Sequence, residues 1–409
     1  MTVVTVVFWL SVVAVMYVLA GYPVVLFTWS RLRPRRFSLL TSDVKSEPTI
    51  SIVIAARNEG HRLAARIDNL LSLDYPADKR QIIVVSDGST DDTLDVLARY
   101  GDAVEAFAIP PSGKAAALNE GVRCARNEIL VFADARQVFE RAALRELVVP
   151  LADPSVGAVT GELLLDAESP CRRAGDDRRG GHASPRQRAG TDSRVGPRVV
   201  DRRAGVDRRS SVRSTIADGV GLYWKYEKQI RRLESTIDST LGATGAIYAI
   251  RRSLFQPLPE DTLLDDVLTP MRVVLSGYRV VFAESARAFD RAAVDADAEA
   301  RRKVRTLAGN YQILALEPRL LLPWRNRVWL QYVSHKIGRL VMPYALLSIF
   351  CTSIALAEAH VFYLMVLAAE VSLFLLAGCG ALIEYRGQIA DGRIAALPQP
   401  LASPARRIA

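Results

Sequence analysis

The chain has 409 residues, enough for one large domain or two average ones. Half of it is hydrophobic and its mean hydropathy is +0.13, high for a soluble enzyme and low for a polytopic transporter. The formal charge is +9, but residues 171–213 alone hold 13 Arg and 5 Asp, a net of +8, so the basic pI belongs to one segment and not to the fold.

Residues 3–29 carry no charge and are long enough to cross a bilayer. The basic cluster Arg31, Arg33, Arg35 and Arg36 follows the apolar run instead of preceding it, and no small-residue cleavage site is present, so residues 1–30 read as a retained transmembrane helix. Two further spans are expected over 340–358 and 361–383, within 339–385. Lys336 and Arg339 precede them, and Arg386 and Arg393 follow. The positive-inside rule then puts the N-terminus outside, and residues 31–338 and the tail 386–409 in the cytoplasm, at the cell (inner) membrane. Glu370 lies mid-span, either facing another helix or serving a function there. The cysteines Cys124, Cys171, Cys351 and Cys379 show no metal or redox spacing and are assigned no chemistry.

From residue 49 strands and helices alternate: strands over 49–56, 81–86, 104–110, 128–134 and 156–165, helices over 60–72, 91–100, 114–126 and 141–152. This pattern predicts an α/β fold with a mostly parallel sheet and helices on both faces. Ligands bind such sheets beyond the carboxyl ends of the strands. That rule sets Asn58-Glu59, Asp87-Gly88-Ser89 and Asp134 along one rim.

The pattern stops in an insert over 167–213 that is too polar to bury a core. Its 13 Arg without a single Lys leave three readings open: a disordered loop against anionic lipid head groups, a contact for acidic polymer, or a GC-rich gene translated in a shifted frame. No aromatic residues interleave the arginines, so no nucleic-acid partner is expected. Order returns with a helix over 217–235, a Gly-rich turn into a strand over 240–255, a helix over 264–276 that opens on Asp265-Asp266, and a strand over 278–283. Residues 301–338 are basic, aromatic and amphipathic, and suit a membrane interface.

The rim residues each have a bland reading and a chemical one. Asp87 caps a turn or accepts hydrogen bonds from a nucleobase or ribose. Gly113-Lys114, opening a helix, is an exposed lysine or a diphosphate site; the GxxxxGK[ST] frame of a P-loop is missing. Asp134 ends a strand or binds a metal, although Arg136 stands where a second carboxylate would complete an Asp-x-Asp pair. Asp265-Asp266 complement a helix dipole or supply a base. Arg302 and Arg305 share a helix face and meet lipid phosphates or a leaving diphosphate. No GxGxxG follows the first strand, which argues against a dinucleotide-dependent oxidoreductase.

In order and spacing, AARNE (55–59), VVSDGSTDDT (84–93), GKAAALN (113–119), FADA (132–135), LLDDVLTPMRVVLSGYRV (263–280) and RRKVRTLAGN (301–310) resemble the family 2 glycosyltransferases of the membrane-embedded bacterial polysaccharide synthase type, over roughly residues 48–166 and 214–385. The resemblance implies the GT-A fold, a Rossmann-like sheet whose nucleotide-sugar half is 48–166 and whose acceptor half is 214–300, plus three transmembrane helices. Ala55, Arg57, Glu59 and Asp87 would surround the nucleoside, Lys114 would approach the diphosphate, and Asp134 would stand near ribose and metal. Asp266 would be the catalytic base, and Arg302 and Arg305 would take the place of the family's (Q/R)xxRW motif. Two positions depart: Arg136 replaces a metal ligand and Thr306 replaces the Trp. Mg²⁺ or Mn²⁺ is therefore expected only through Asp134, diphosphate oxygens and water, with Arg136 free to pair with Asp134 or reach the phosphates.

The implied activity is inverting transfer from a nucleotide-sugar, UDP-linked in expectation, to a growing polysaccharide or lipid-linked acceptor. The alternatives are single-sugar transfer to a polyprenyl phosphate and a catalytically inactive nucleotide-sugar-binding scaffold. Three spans are few for a polymer channel, so a homo-oligomer or an export partner is expected.

Overall fold

A computed structural model describes residues 2–35, 47–166, 225–291 and 296–390. The insert, residues 217–224 of the helix expected over 217–235, Cys171 and residues 391–409 lie outside them. The described residues fall into two compact units, one over Tyr22–Ile337 and one joining residues up to Gly21 with those from Gly338 onward.

In the first unit, apolar runs with no polar face become central strands. β1 (Ile50–Ala56), β2 (Arg80–Asp87), β3 (Glu105–Ile109) and β4 (Ile129–Ala133) pair in parallel, with Ile52 opposite both Ile82 and Val131. The sheet continues through β5 (Val138–Phe139), β6 (Val156–Asp166), β7 (Ile247–Arg251) and β8 (Arg279–Arg291), in the order β3-β2-β1-β4-β7-β6-β8-β5. β7 runs antiparallel to β4 and β6, while β6 and β8 are parallel.

Both faces are covered. On one, Leu63 and Ile67 of the helix Gly60–Leu71 pack on Ile50, Ile52 and Ile54. On the other, Ala117 and Leu118 of Lys114–Cys124 and Leu268 and Met271 of Asp265–Leu275 pack with Val53, Ile83 and Val85. Each Ile, Leu or Met fully buried in this way contributes about 1.5–3 kcal/mol.

The strands and helices expected over 49–165 are present, with differences that have physical causes. The helix expected over 141–152 is α-helical only over Ala143–Val148 and tightens to a 3₁₀ turn at Val149–Ala152, where Pro150 supplies no N–H. β8 runs eight residues past its expected end at Ala283, because buried Ala286 and Ala288 alternate with exposed Ser285 and Arg287. Small inward residues carry little apolar signal. The two-residue β5 on β8 was not foreseen.

In the second unit, Thr2–Met16 packs against Gly338–Leu356, with Phe8 buried beside Ile349 and Leu356. Phe8 meets Tyr363 edge to face at 5.0 Å, and Ser11 bonds Ser348 at 3.0 Å. Glu370 is half-buried on Val361–Ala390. Three helices, Thr2–Leu32, Trp329–Leu356 and Val361–Ile383, are long and apolar enough to cross a membrane.

The rim depends on one tight turn. Gly88 has φ of +60°, and a Cβ there would stand 2.8 Å from the Pro111 nitrogen. Gly88→Ala is expected to lower stability by about 1–3 kcal/mol, read as a drop in Tm with an unchanged far-UV spectrum.

Candidate active site

The carboxyl ends of β1, β2 and β4 face one side, and their loops are laced together by side chains. Asn58, with φ of 55°, donates its backbone N–H to Ser89 Oγ at 3.1 Å, and its Oδ1 accepts from the Thr90 N–H at 2.8 Å. The Glu59 N–H reaches Thr93 Oγ1 at 3.1 Å. Ala55 is half-buried on β1 opposite Val85, and Arg57 reaches Asp87 at 3.7 Å.

Asp87 is 4 % exposed and has a structural task. Its carboxylate accepts the Ser112 N–H at 2.6 Å and the Gly113 N–H at 3.0 Å. It thereby shapes the loop that starts the helix Lys114–Cys124, and it combines the bland reading with the rim position. Gly113 has φ of 93° at the N-cap, which turns the chain where Lys114 meets Asp134 and Asp265.

Lys114 is the centre of the arrangement. Its Nζ lies 3.2 Å from Asp134 Oδ1 and 3.2 Å from Asp265 Oδ1. Burial works against the ammonium charge, but Asp265 and then Asp134 outweigh it and hold the group above the usual lysine range. The neighbouring Asp266 has one oxygen 3.2 Å from the Gly245 N–H, while its backbone carbonyl accepts the Ala243 N–H at 2.7 Å. Burial first, and Asp265 second, raise the Asp266 carboxyl above the ordinary aspartate range, with Lys114 and Lys336 opposing. β7 makes this meeting geometrically accessible. Because it runs against β4, with Ile247 opposite Ala133, the Gly-rich turn at its start arrives on the same rim.

Arg136 does not pair with Asp134. Its Nε lies 3.1 Å from Asp290 Oδ2, an oxygen that also accepts Gln137 Nε2 at 3.0 Å. Asp290 belongs to β8, so Arg136 is turned toward the sheet edge. Arg302 and Arg305 are exposed on the helix Ala296–Leu316. That helix is joined to the site farther along, where Gln312 Oε1 accepts the Leu263 N–H at 2.9 Å and Gly309 packs on Leu264. Thr306 spends its hydroxyl on the Arg302 carbonyl at 2.9 Å.

Three contributors escaped the sequence reading. Asp265 was quoted only as the partner of Asp266, yet it is the buried acid that anchors Lys114. Gly245 presents its amide to Asp266, and a glycine in ATGA was its signal. Arg66 is 2 % exposed, stacks on Phe139 at 4.0 Å, and feels the charge of Asp134. Burial pushes it down to about 9, against the pull of Asp134. An arginine at a core position of a helix face was the signal there.

The donor set does not suit a resident metal ion. Among the described residues no group of three His, Cys, Asp or Glu could hold one. Asp134, the expected ligand, is occupied by Lys114, and the second ligand position is a guanidinium.

Residues 51–182 match the family model described as Glycosyl transferase family 2. A probable glycosyltransferase of Bacillus subtilis is 31% identical over 128 residues, covering 29% of this chain and 30% of that protein. A poly-beta-1,6-N-acetyl-D-glucosamine synthase of Staphylococcus epidermidis is 31% identical over 130 residues, 31% of each chain. The chain thus matches about a third of the length of these relatives. Over 91% of this chain and 92% of the other, the fold is similar to a mannosyltransferase of Pyrobaculum calidifontis solved with GDP-Man and Mn2+, with TM-score 0.64 and 20% identity. The fold is GT-A.

The raised Asp266 pKa has a signed consequence. The folded state holds this proton more tightly than the unfolded chain, so the contribution of Asp266 to stability is full below the unfolded value of about 3.9 and is lost as pH rises through the folded value. Asp266→Asn removes that loss. Its Tm relative to wild type is expected to climb with pH across this window, measured by thermal melts from acid to neutral pH.

Proposed function

We propose, from the family 2 glycosyltransferase domain that residues 51–182 carry, that the chain is a membrane-bound inverting glycosyltransferase. It moves a sugar from a nucleotide-sugar, taken to be UDP-linked, to a growing polysaccharide or lipid-linked acceptor at the cytoplasmic face. The observation that carries this reading is Asp266, poised by the Gly245 amide beside the Asp134–Lys114–Asp265 cluster.

In this reading the nucleoside lies along Ala55, Arg57, Glu59 and Asp87, with Asp134 near the ribose. Asp266 accepts the proton of an acceptor hydroxyl, whose oxygen attacks the anomeric carbon from the face opposite the diphosphate. The bond from the anomeric carbon to the diphosphate breaks and its electron pair leaves with the diphosphate oxygen, so the configuration inverts. Lys114, with Arg302 and Arg305 as further diphosphate-binding cations, meets the charge that develops there. A carboxyl raised by burial is a better proton acceptor than a solvated one. The basic residues around the three apolar helices support cytoplasmic placement of the domain.

Single-sugar transfer to a lipid is the second reading. It is favoured by a beta-monoglucosyldiacylglycerol synthase of Synechocystis, 32% identical over 129 residues and thus as similar as the polysaccharide synthase. Product length separates the two.

With purified protein in lipid and a panel of nucleotide-sugars, diphosphate release is expected with one donor. Asp266→Asn is expected to lower kcat by about 10²–10⁴ and to leave donor affinity within a few-fold. Release by the variant at the wild-type rate would sink the assignment.

A further inference from the structure

Resting on the transferase reading above, we propose that this site works without a divalent cation, the Lys114 ammonium standing between Asp134 and Asp265 as the fixed positive charge offered to the donor diphosphate. Three observations converge. The ammonium lies 3.2 Å from each carboxylate, so Asp134, the expected ligand, already has a cation. The position two residues after Asp134 is Arg136, and its side chain is held by Asp290 together with Gln137. A metal at Asp134 would lack the carboxylate oxygen that an acid at this position would supply.

Third, Asp265 is only 6 % exposed and its carboxylate is paired with Lys114. Mg²⁺ asks for six oxygens at about 2.0–2.1 Å, and Mn²⁺ is likewise an oxygen-seeking ion. This site supplies one partly exposed carboxylate, already paired with an ammonium.

The chemistry closes without a metal. The acceptor hydroxyl loses its proton to Asp266 and forms the new bond to the anomeric carbon. The bond to the diphosphate breaks with its electron pair on the departing oxygen. The N–H groups of Lys114 donate to that oxygen as charge grows on it, exchanging their carboxylate partners for the phosphate.

The test uses the full chain in lipid nanodiscs stripped of metal. Mn²⁺ binding is read by electron paramagnetic resonance, with and without UDP, and turnover is read in EDTA and in Mn²⁺. Wild type is expected to show no bound Mn²⁺ signal that depends on Asp134, and turnover within twofold in EDTA and Mn²⁺. Lys114→Ala should lose about a hundredfold in turnover, and Lys114→Arg, which keeps the charge and tests for folding damage, should retain EDTA-resistant turnover. The double variant Lys114→Ala/Arg136→Asp should gain a bound Mn²⁺ signal. A Mn²⁺ signal in wild type that Asp134→Asn abolishes, or turnover that EDTA removes and Mn²⁺ restores, would overturn the proposal. If wild type turns over no donor, the transferase reading fails alone. The Mn²⁺ spectra then decide this inference by the same two outcomes.

Discussion

Two carboxylates from distant parts of the chain meet around one ammonium group. Asp134 leaves β4, while Asp265 and Asp266 open a helix more than a hundred residues later. Lys114 starts the helix that follows β3 and holds Asp134 and Asp265 at the same distance. Like charges this close, one of them buried, repel unless a cation stands between them. The ammonium is therefore as much a structural joint as a chemical group. Loop shape follows from the same demand, since Asp87 spends its carboxylate on the Ser112 and Gly113 amides that aim Lys114.

The sheet makes the joint reachable. Four parallel strands bring their carboxyl ends to one rim, as the βα pattern requires. An entirely parallel sheet would send the next strand's amino end to the far side. β7 runs the other way, so its leading turn reaches the rim and presents Gly245 to Asp266. Two chain directions in one sheet thus let the carboxyl ends of the parallel strands and the leading turn of β7 share an edge.

The parallel half was legible because its residues state their environment. ISIVIAA and ILVFA have no polar face, so they must be covered twice, and helices with apolar stripes follow them. The rim acids were legible for the same reason, since strand ends and helix starts fix where they stand. Other features were hidden. Ala286 and Ala288 bury so little surface that the end of β8 reads as loop or helix. The partner of Arg136 is Asp290, 154 residues away, and no local pattern encodes such a pair. Asp265 and Asp266 are neighbours of identical type, yet one anchors the lysine and the other faces Gly245. Only the helix phase in three dimensions separates those roles. The arginine-rich insert and its three readings fall outside the described residues.

Lys114 touches Asp265 and Asp134, and its charge also bears on Asp266. Any ligand that draws the ammonium toward itself changes how strongly Asp266 holds a proton. Thermodynamic reciprocity then requires that the protonation of Asp266 change the affinity for that ligand by the same factor. Ligand capture at Lys114 and the proton on Asp266 are two faces of one equilibrium. The cluster thus acts as a proton-linked coupler, in which the state of one carboxylate is registered on a neighbouring ligand through a single side chain.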